Sequence, residues 1–234
     1  MNFYVEWRQK MEFPKISELL DLSHTEAASL FEGCEYPWEV LPKIKDFIKE
    51  LGPKLSPDEY DSPEEGVYIA KSAKVAPTAF IAPPCIIGPD TEVRHCAFIR
   101  GSALIGAGAV IGNSTELKNC IIFDGAQVPH YNYVGDSVLG YKAHMGAGSV
   151  TSNVKADKTN VTVKVDTEKL ETGLRKFGAI LGDFAEIGCG VVLNPGSVIG
   201  KRTNVYPQCV VRGFVPSEHI FKAPDSIVKK IQKN

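Results

Sequence analysis

With 234 residues and a net charge of −2, the chain is long enough for one or two domains and lacks the basic excess that a polyanion partner needs, so nucleic-acid binding is not expected. The amino terminus carries early charges and no long apolar run, which predicts neither a signal peptide nor a membrane span and so a soluble, cytoplasmic protein. Six cysteines are scattered with no C-x-x-C pair, which favours free thiols over a zinc ribbon or a disulfide framework, and no metal is expected.

Residues 1–65 read as a helical segment followed by a linker. Ile16, Leu19 and Leu20, then Ala27, Leu30 and Phe31, stand at helix-like spacing, with Asp21 or Ser23 as a cap. The stretch from Pro42 to Leu51 predicts a further short helix, opened by proline and closed by Gly52-Pro53. The acidic run from Ser56 to Gly66 is expected to be the linker.

From Ile69 an aliphatic residue then returns at every sixth position: Ile69, Val75, Ile81, Ile87, Val93, Ile99, Ile105, Ile111 and Leu117. The series resumes in slightly shifted frames at Ile122, Val128 and Val134, at Leu139 and Met145, and from Leu181 to Val211. Neither a helix nor a half-buried strand has this period. It is the hexapeptide repeat of a parallel β-helix, in which three repeats close a coil of about 18 residues and the inward aliphatics stack into a narrow core. The small residue that often follows is expected to ease the turn. The repeat defines a β-helix domain over 66–214. Within it the period fails over 155–178, predicting an ejected loop or hairpin. Residues 215–234 are expected to form a short helix from Asp225 that covers the open end of the coil.

Stacking arithmetic sorts the polar residues. Arg100 and Lys118 lie 18 apart, each directly after an inward aliphatic residue, and should project at one place on successive coils. Arg94 holds the equivalent slot one face away. A phosphate clamp and ordinary solvated charge both fit this spacing. His130 should lie beneath the backbone amides of Gly146 and Ala147, which could serve acyl transfer with histidine as base and an amide as oxyanion donor. A surface histidine in a turn is the alternative.

The segment His130-Tyr-Asn-Tyr-Val-Gly-Asp136, followed by Met145-Gly-Ala-Gly-Ser149 and Asn153, resembles the acetyltransferase domain of the bacterial bifunctional glucosamine-1-phosphate acetyltransferase/N-acetylglucosamine-1-phosphate uridylyltransferases. The stretch from Thr172 to Ala179 and on through Leu193-Asn-Pro-Gly196 is similar to the archaeal sugar-1-phosphate versions. The resemblance covers roughly residues 66 to 214. It implies a left-handed β-helix, a homotrimer with sites between subunits, and acetyl-CoA as co-substrate. It further implies His130 as general base, Arg100 and Lys118 as holders of the sugar phosphate, and Tyr133 and Asn153 as binders of the amino sugar. Ala147, beside Gly146, and Cys189 fall where the family binds the thioester arm of acetyl-CoA. His144 replaces an Asn of the bacterial substrate site, and Tyr206-Pro207 replaces a small pair lining the coenzyme channel. The implied activity is N-acetylation of glucosamine 1-phosphate or galactosamine 1-phosphate. No nucleotide-binding loop of the uridylyltransferase kind occurs in the sequence. A non-catalytic scaffold or sugar-nucleotide sensor, or acyl transfer to another amine or sugar nucleotide, are the alternatives.

Overall fold

A computed structural model describes residues 12–231; residues 1–11, on which the signal-peptide reading rests, and 232–234 lie outside the described residues. The chain from Val67 onward winds a left-handed parallel β-helix with three flat faces. Val67–Ala70, Cys85–Ile87, Ala103–Ile105, Ala179–Leu181, Ser197–Ile199 and Phe214–Val215 belong to the first face. Phe80–Ile81, Phe98–Ile99, Val150–Thr151, Val192–Leu193 and Val210–Val211 build the second. Lys74–Val75, Glu92–Val93, Val110–Asn113, Gln127–His130, His144–Met145, Glu186–Ile187 and Asn204–Val205 build the third. Two longer strands, Glu116–Ile122 and Tyr133–Leu139, run from the second face onto the first.

The inward aliphatics, with Cys85, Cys120 and a run of alanines, form one continuous core. Val75 keeps 37% exposure because its coil is the first on its face and has no coil beneath it. The shifted frames have a structural cause. Glu116 pairs with Phe98, 18 residues back, but Tyr133 pairs with Glu116 and Val150 with Tyr133 at 17. Both long strands bend round the corner at a left-handed residue, Asn119 (φ 49°) and Asp136 (φ 49°), and the coil loses one position.

The small residue after each inward aliphatic serves stacking rather than turning. Gly88 and Gly146 do not have left-handed backbone; a Cβ at Gly88 would meet the carbonyl carbon of Gly106 at 2.8 Å, and one at Gly146 the nitrogen of Cys189 at 2.7 Å.

A second apolar layer covers the outside of the first face. Ile86, Leu104, Ile121, Val138, Ile180 and Val198 point outward there and are buried. Over them lie Leu19, Phe31, Trp38, Leu41, Ile44 and Ile48 of the amino-terminal segment, and Val161, Val163 and Val165 of the ejected segment. That segment is an antiparallel hairpin, Thr162–Val165 with Glu168–Glu171.

Three expectations are corrected. Among the described residues only Ile44–Leu51 is a regular helix of two turns; Ile16–Leu19 is a single turn, and Leu22–His24, Ala28–Phe31 and Pro37–Lys43 are 3₁₀ segments, because Gly33, Pro37 and Pro42 interrupt the hydrogen-bond ladder. The supposed linker contains a strand, Tyr60–Glu64, which pairs antiparallel with Val67–Ala70 and closes the first edge. The carboxyl terminus is not a helix. His219–Ala223 adds a parallel rung to Asn204–Val205, and Ser226–Lys229 folds back antiparallel on it after the Pro224-Asp225 turn. The β-branched pair Ile227-Val228 suits a strand, and the hairpin covers the edge that a helix was expected to cover.

Candidate functional site

His130 ends the strand Gln127–His130 at the corner between the third and second faces, and it is exposed. Its carbonyl accepts from the Gly148 N–H at 3.0 Å, the Ala147 carbonyl accepts from Gly190 at 2.8 Å, and the Cys189 carbonyl accepts from Gln208 at 2.9 Å. His130, Ala147 and Cys189 are therefore successive rungs of one column, and Pro207, directly before Gln208, is the next. Each rung is followed by a left-handed residue: Tyr131, Gly148, Gly190 and Gln208. Above the imidazole runs a strip of small exposed side chains at Ala147, Cys189 and Pro207.

Gly146 differs from its expected role. Its N–H donates to Ile187 O at 2.7 Å, so it is not a free oxyanion donor, and the Gly148 N–H is engaged with His130 itself. What the sequence reading missed is Asn132. This buried side chain accepts from the His130 N–H at 3.0 Å and donates to Gly146 O at 2.8 Å and to Ser149 O at 3.1 Å. One amide thus ties the turn that carries the histidine to the turn that carries Ala147. The signal was weak: a polar residue two positions after His130, where an inward-facing amide is needed to satisfy backbone carbonyls of the next coil.

The opposite edge of the second face holds a polar cluster. Arg100 donates to Glu116 at 2.6 Å, and Lys118 lies 3.1 Å from Asp136, one coil on. Both expected clamp cations are therefore matched by a carboxylate of this chain. Asp136 is 4% exposed and also accepts from Asn119 at 3.0 Å and from Asn153 at 2.5 Å. Asn153 donates in addition to the Tyr133 hydroxyl at 3.2 Å. Tyr133 is half-buried; burial, and then the Asp136 and Glu116 charges, push its phenol up from the ordinary value. The Glu116 carboxylate holds the Arg100 guanidinium above its ordinary value. Lys118, Tyr133 and Asn153 come together here, with Arg100 one coil earlier. Glu116 and Asn119 carry no signal in the sequence, and Asp136 closes the segment that begins at His130 without a role being expected of it. Phe177, buried, donates its N–H to Asn153 O at 3.0 Å behind this edge.

His144 joins neither group. It lies on the third face with its Nδ1 2.9 Å from Glu186, in a shallow groove with Gln127 and Lys142. Arg94 pairs with Glu92 at 3.0 Å. Among the described residues, no three His, Cys, Asp or Glu side chains gather as a metal site. All six cysteines are free thiols, and no described helix is long and apolar enough to cross a membrane.

Repeat, handedness and core define the class: this is a hexapeptide-repeat protein of the left-handed β-helix type. Within that class its sequence is related to the bifunctional GlmU proteins and resembles their acetyltransferase part. It is 31% identical over 225 residues to the bifunctional protein GlmU of Methanococcus vannielii, matching 92% of this chain and 53% of that protein. It is 37% identical over 109 residues to a bifunctional sugar-1-phosphate nucleotidylyltransferase/acetyltransferase of Sulfurisphaera tokodaii, matching 47% of this chain and 27% of that protein. The chain spans about half the length of the curated GlmU relatives it matches first. No family model matches. Among solved structures, a mutant of perosamine N-acetyltransferase from Caulobacter crescentus, in complex with CoA and GDP-perosamine, superposes with a TM-score of 0.38 at 20% identity, over 70% of this chain and 57% of that one.

Proposed function

We propose that the protein is an acetyl-CoA-dependent N-acetyltransferase acting on an amino-sugar 1-phosphate, glucosamine 1-phosphate or galactosamine 1-phosphate. The observation that carries this reading is the column at the His130 corner, an exposed imidazole one rung below a strip of small side chains, with a cationic and amide-rich cluster at the other edge of the same face. The acetyltransferase named among the relatives supports it.

In this reading the acceptor amine, as the free base, attacks the thioester carbonyl. His130 removes the proton that the new C–N bond makes acidic, and the sulfur leaves as coenzyme A, taking a proton in turn. Ala147, Cys189 and Pro207 flank the thioester arm; their small or rigid side chains let an extended chain lie close to the backbone. Lys118 and Arg100 face the phosphate, and Tyr133 and Asn153 the sugar. Holding both reactants on a stiff prism supplies the approach as proximity.

The protein works as a homotrimer in this reading. Phe80, at 59% exposure, and Phe98, at 42%, meet at a tilt on the second face with ring centroids 5.6 Å apart, an apolar ladder that a neighbouring copy would cover. Unpaired thiols and an acetyl-CoA substrate fit the cytoplasm. One observation favours a second reading. Because Arg100 and Lys118 are already paired, an acceptor amine without a phosphate also fits.

The deciding experiment follows coenzyme A release with glucosamine 1-phosphate, galactosamine 1-phosphate and the unphosphorylated sugars, in wild type and His130→Ala. Turnover of a phosphorylated sugar that is lost in the variant is the expected result. Equal rates on the unphosphorylated sugar would turn the reading to the second acceptor class, and no release with any of the four would overturn it.

A further inference from the structure

Resting on that reading and deepening it, we infer that Asp136 is the positioning residue of the acceptor site, and that Asn119 couples it to the amino-terminal segment through the backbone of Leu41. Asp136 sits at the bend of the long strand Tyr133–Leu139, in left-handed backbone that Asp and Asn tolerate better than other side chains. Its carboxylate is buried and every direction around it is used. Oδ1 accepts from Asn119, Oδ2 accepts from Asn153, and the Lys118 ammonium reaches both oxygens at 3.3 and 3.1 Å.

This arrangement decides what the site shows to a ligand. Both hydrogens of the Asn153 amide are committed, one to Asp136 and one to the Tyr133 hydroxyl oxygen. The side chain therefore offers only its carbonyl oxygen. The Tyr133 oxygen is an acceptor inside the cluster, so its O–H is left to donate outward. The site thus presents one acceptor and one donor in fixed places beside two cations, complementary to an acceptor molecule bearing an amine or hydroxyl next to an anionic group. Without the carboxylate, the Asn153 amide could rotate and exchange donor for acceptor.

The same Asn119 nitrogen that binds Asp136 donates at 3.1 Å to the carbonyl of Leu41, in the 3₁₀ segment Pro37–Lys43. Trp38 of that segment packs on Phe177, whose N–H donates to Asn153 O, and the Gly178 N–H donates to Asp136 O at 2.8 Å. The amino-terminal segment is thereby a wall of the acceptor cluster, tied to it at Asn119 and at Phe177.

The test compares wild type, Asp136→Asn and Asn119→Gly, both of which retain the left-handed backbone. KM for glucosamine 1-phosphate and for acetyl-CoA is measured together with amide exchange over residues 37–43. Asp136→Asn is expected to raise the acceptor KM about tenfold with the acetyl-CoA KM held within about twofold, since only the acceptor edge loses its order. Asn119→Gly is expected to raise the acceptor KM by about threefold and to speed exchange over residues 37–43. An unchanged acceptor KM in Asp136→Asn, or an equal rise in both KM values with a lowered Tm, overturns the proposal. Wild type that is silent on amino-sugar phosphates sinks the functional reading instead. In that case exchange over residues 37–43 decides the coupling, which stands if Asp136→Asn speeds it and falls if it stays at the wild-type rate.

Discussion

The imidazole of His24 lies flat on the ring of Tyr141, centroids 3.6 Å apart and planes 7° apart. The contact fixes the amino-terminal segment to the corner between the third and first faces, where Asp124 N–H donates to His24 O and Asp183 N–H to Leu19 O. Backbone pairing and ring stacking here make the segment an added layer of the prism. His24→Ala is expected to lower stability by about 0.5–1.5 kcal/mol in urea unfolding, the range of such ring pairs. Trp38→Ala, which empties a fully buried site against Phe177, is expected to cost about 3–5 kcal/mol.

Asn132 is expected to govern turnover through His130. Asn132→Ala leaves the His130 N–H and the Ser149 carbonyl without their side-chain partner, while Gly146 O keeps the Ser149 hydroxyl, a loss of about 1–3 kcal/mol in folding stability. On the proposed reaction it should lower kcat while leaving the acceptor KM near wild type, because the acceptor cluster lies at the other edge. His130→Ala should lower kcat by about 10²–10⁴-fold. Steady-state kinetics at saturating acetyl-CoA separates the two effects.

Thiol labelling reads the column directly. Burial pushes the Cys85 thiol up to about 12 and Cys120 higher still, so neither should react with iodoacetamide in the native protein at pH 8. Cys96 and Cys189 are exposed and should react. Acetyl-CoA should protect Cys189 and leave Cys96 open, as read by peptide mass spectrometry. Equal labelling of Cys189 with and without the coenzyme would remove it from the proposed thioester strip.

Asp124 gives a pH-dependent prediction. Partial burial raises its carboxyl above the ordinary 3.8, against the lowering effects of the Ala107 N–H and the His24 charge. A raised folded-state value means that the favourable contribution is complete below pH 3.8 and is lost as pH rises through the folded value. Asp124→Asn, which can still accept from the Ala107 N–H, should therefore raise Tm at pH 7. The gain should shrink as pH falls through the raised folded value and be gone below the ordinary 3.8, where the wild-type group is neutral in both states.

How much of this was legible in the sequence follows from which residues face inward. Ile87, Val93 and Ile99 are read from spacing alone because the large inward aliphatic returns once per repeat. The Lys118 slot is likewise set by the stack. His130 and Ala147 are close because Gln127 pairs with His144, and both coils are equally long. Asn119 escapes because its partner, the Leu41 carbonyl, comes from outside the repeat; Asp136 and Asn132 stand in the segment 130–136, but spacing does not say that they bond Asn153 and Gly146 of the next coil. His144 was assigned by resemblance to the substrate site, yet the third face pairs it with Glu186. The terminal hairpin was missed because Ser226–Lys229 carries too few residues for a period of two to stand out.

The shortened coils keep the faces of the prism in line. A solenoid of this kind can in principle be lengthened by inserting whole turns, which shifts everything above by one rung and rotates nothing. Between Glu116 and Val150 two consecutive turns have 17 residues and still stack residue on residue, so the position lost at the Asn119 and Asp136 corner leaves the acceptor edge and the histidine edge in line. Chimeras that exchange turns should therefore carry the left-handed Asn119 and Asp136 corners over together with their 17-residue turns, because the acceptor cluster is built on those corners.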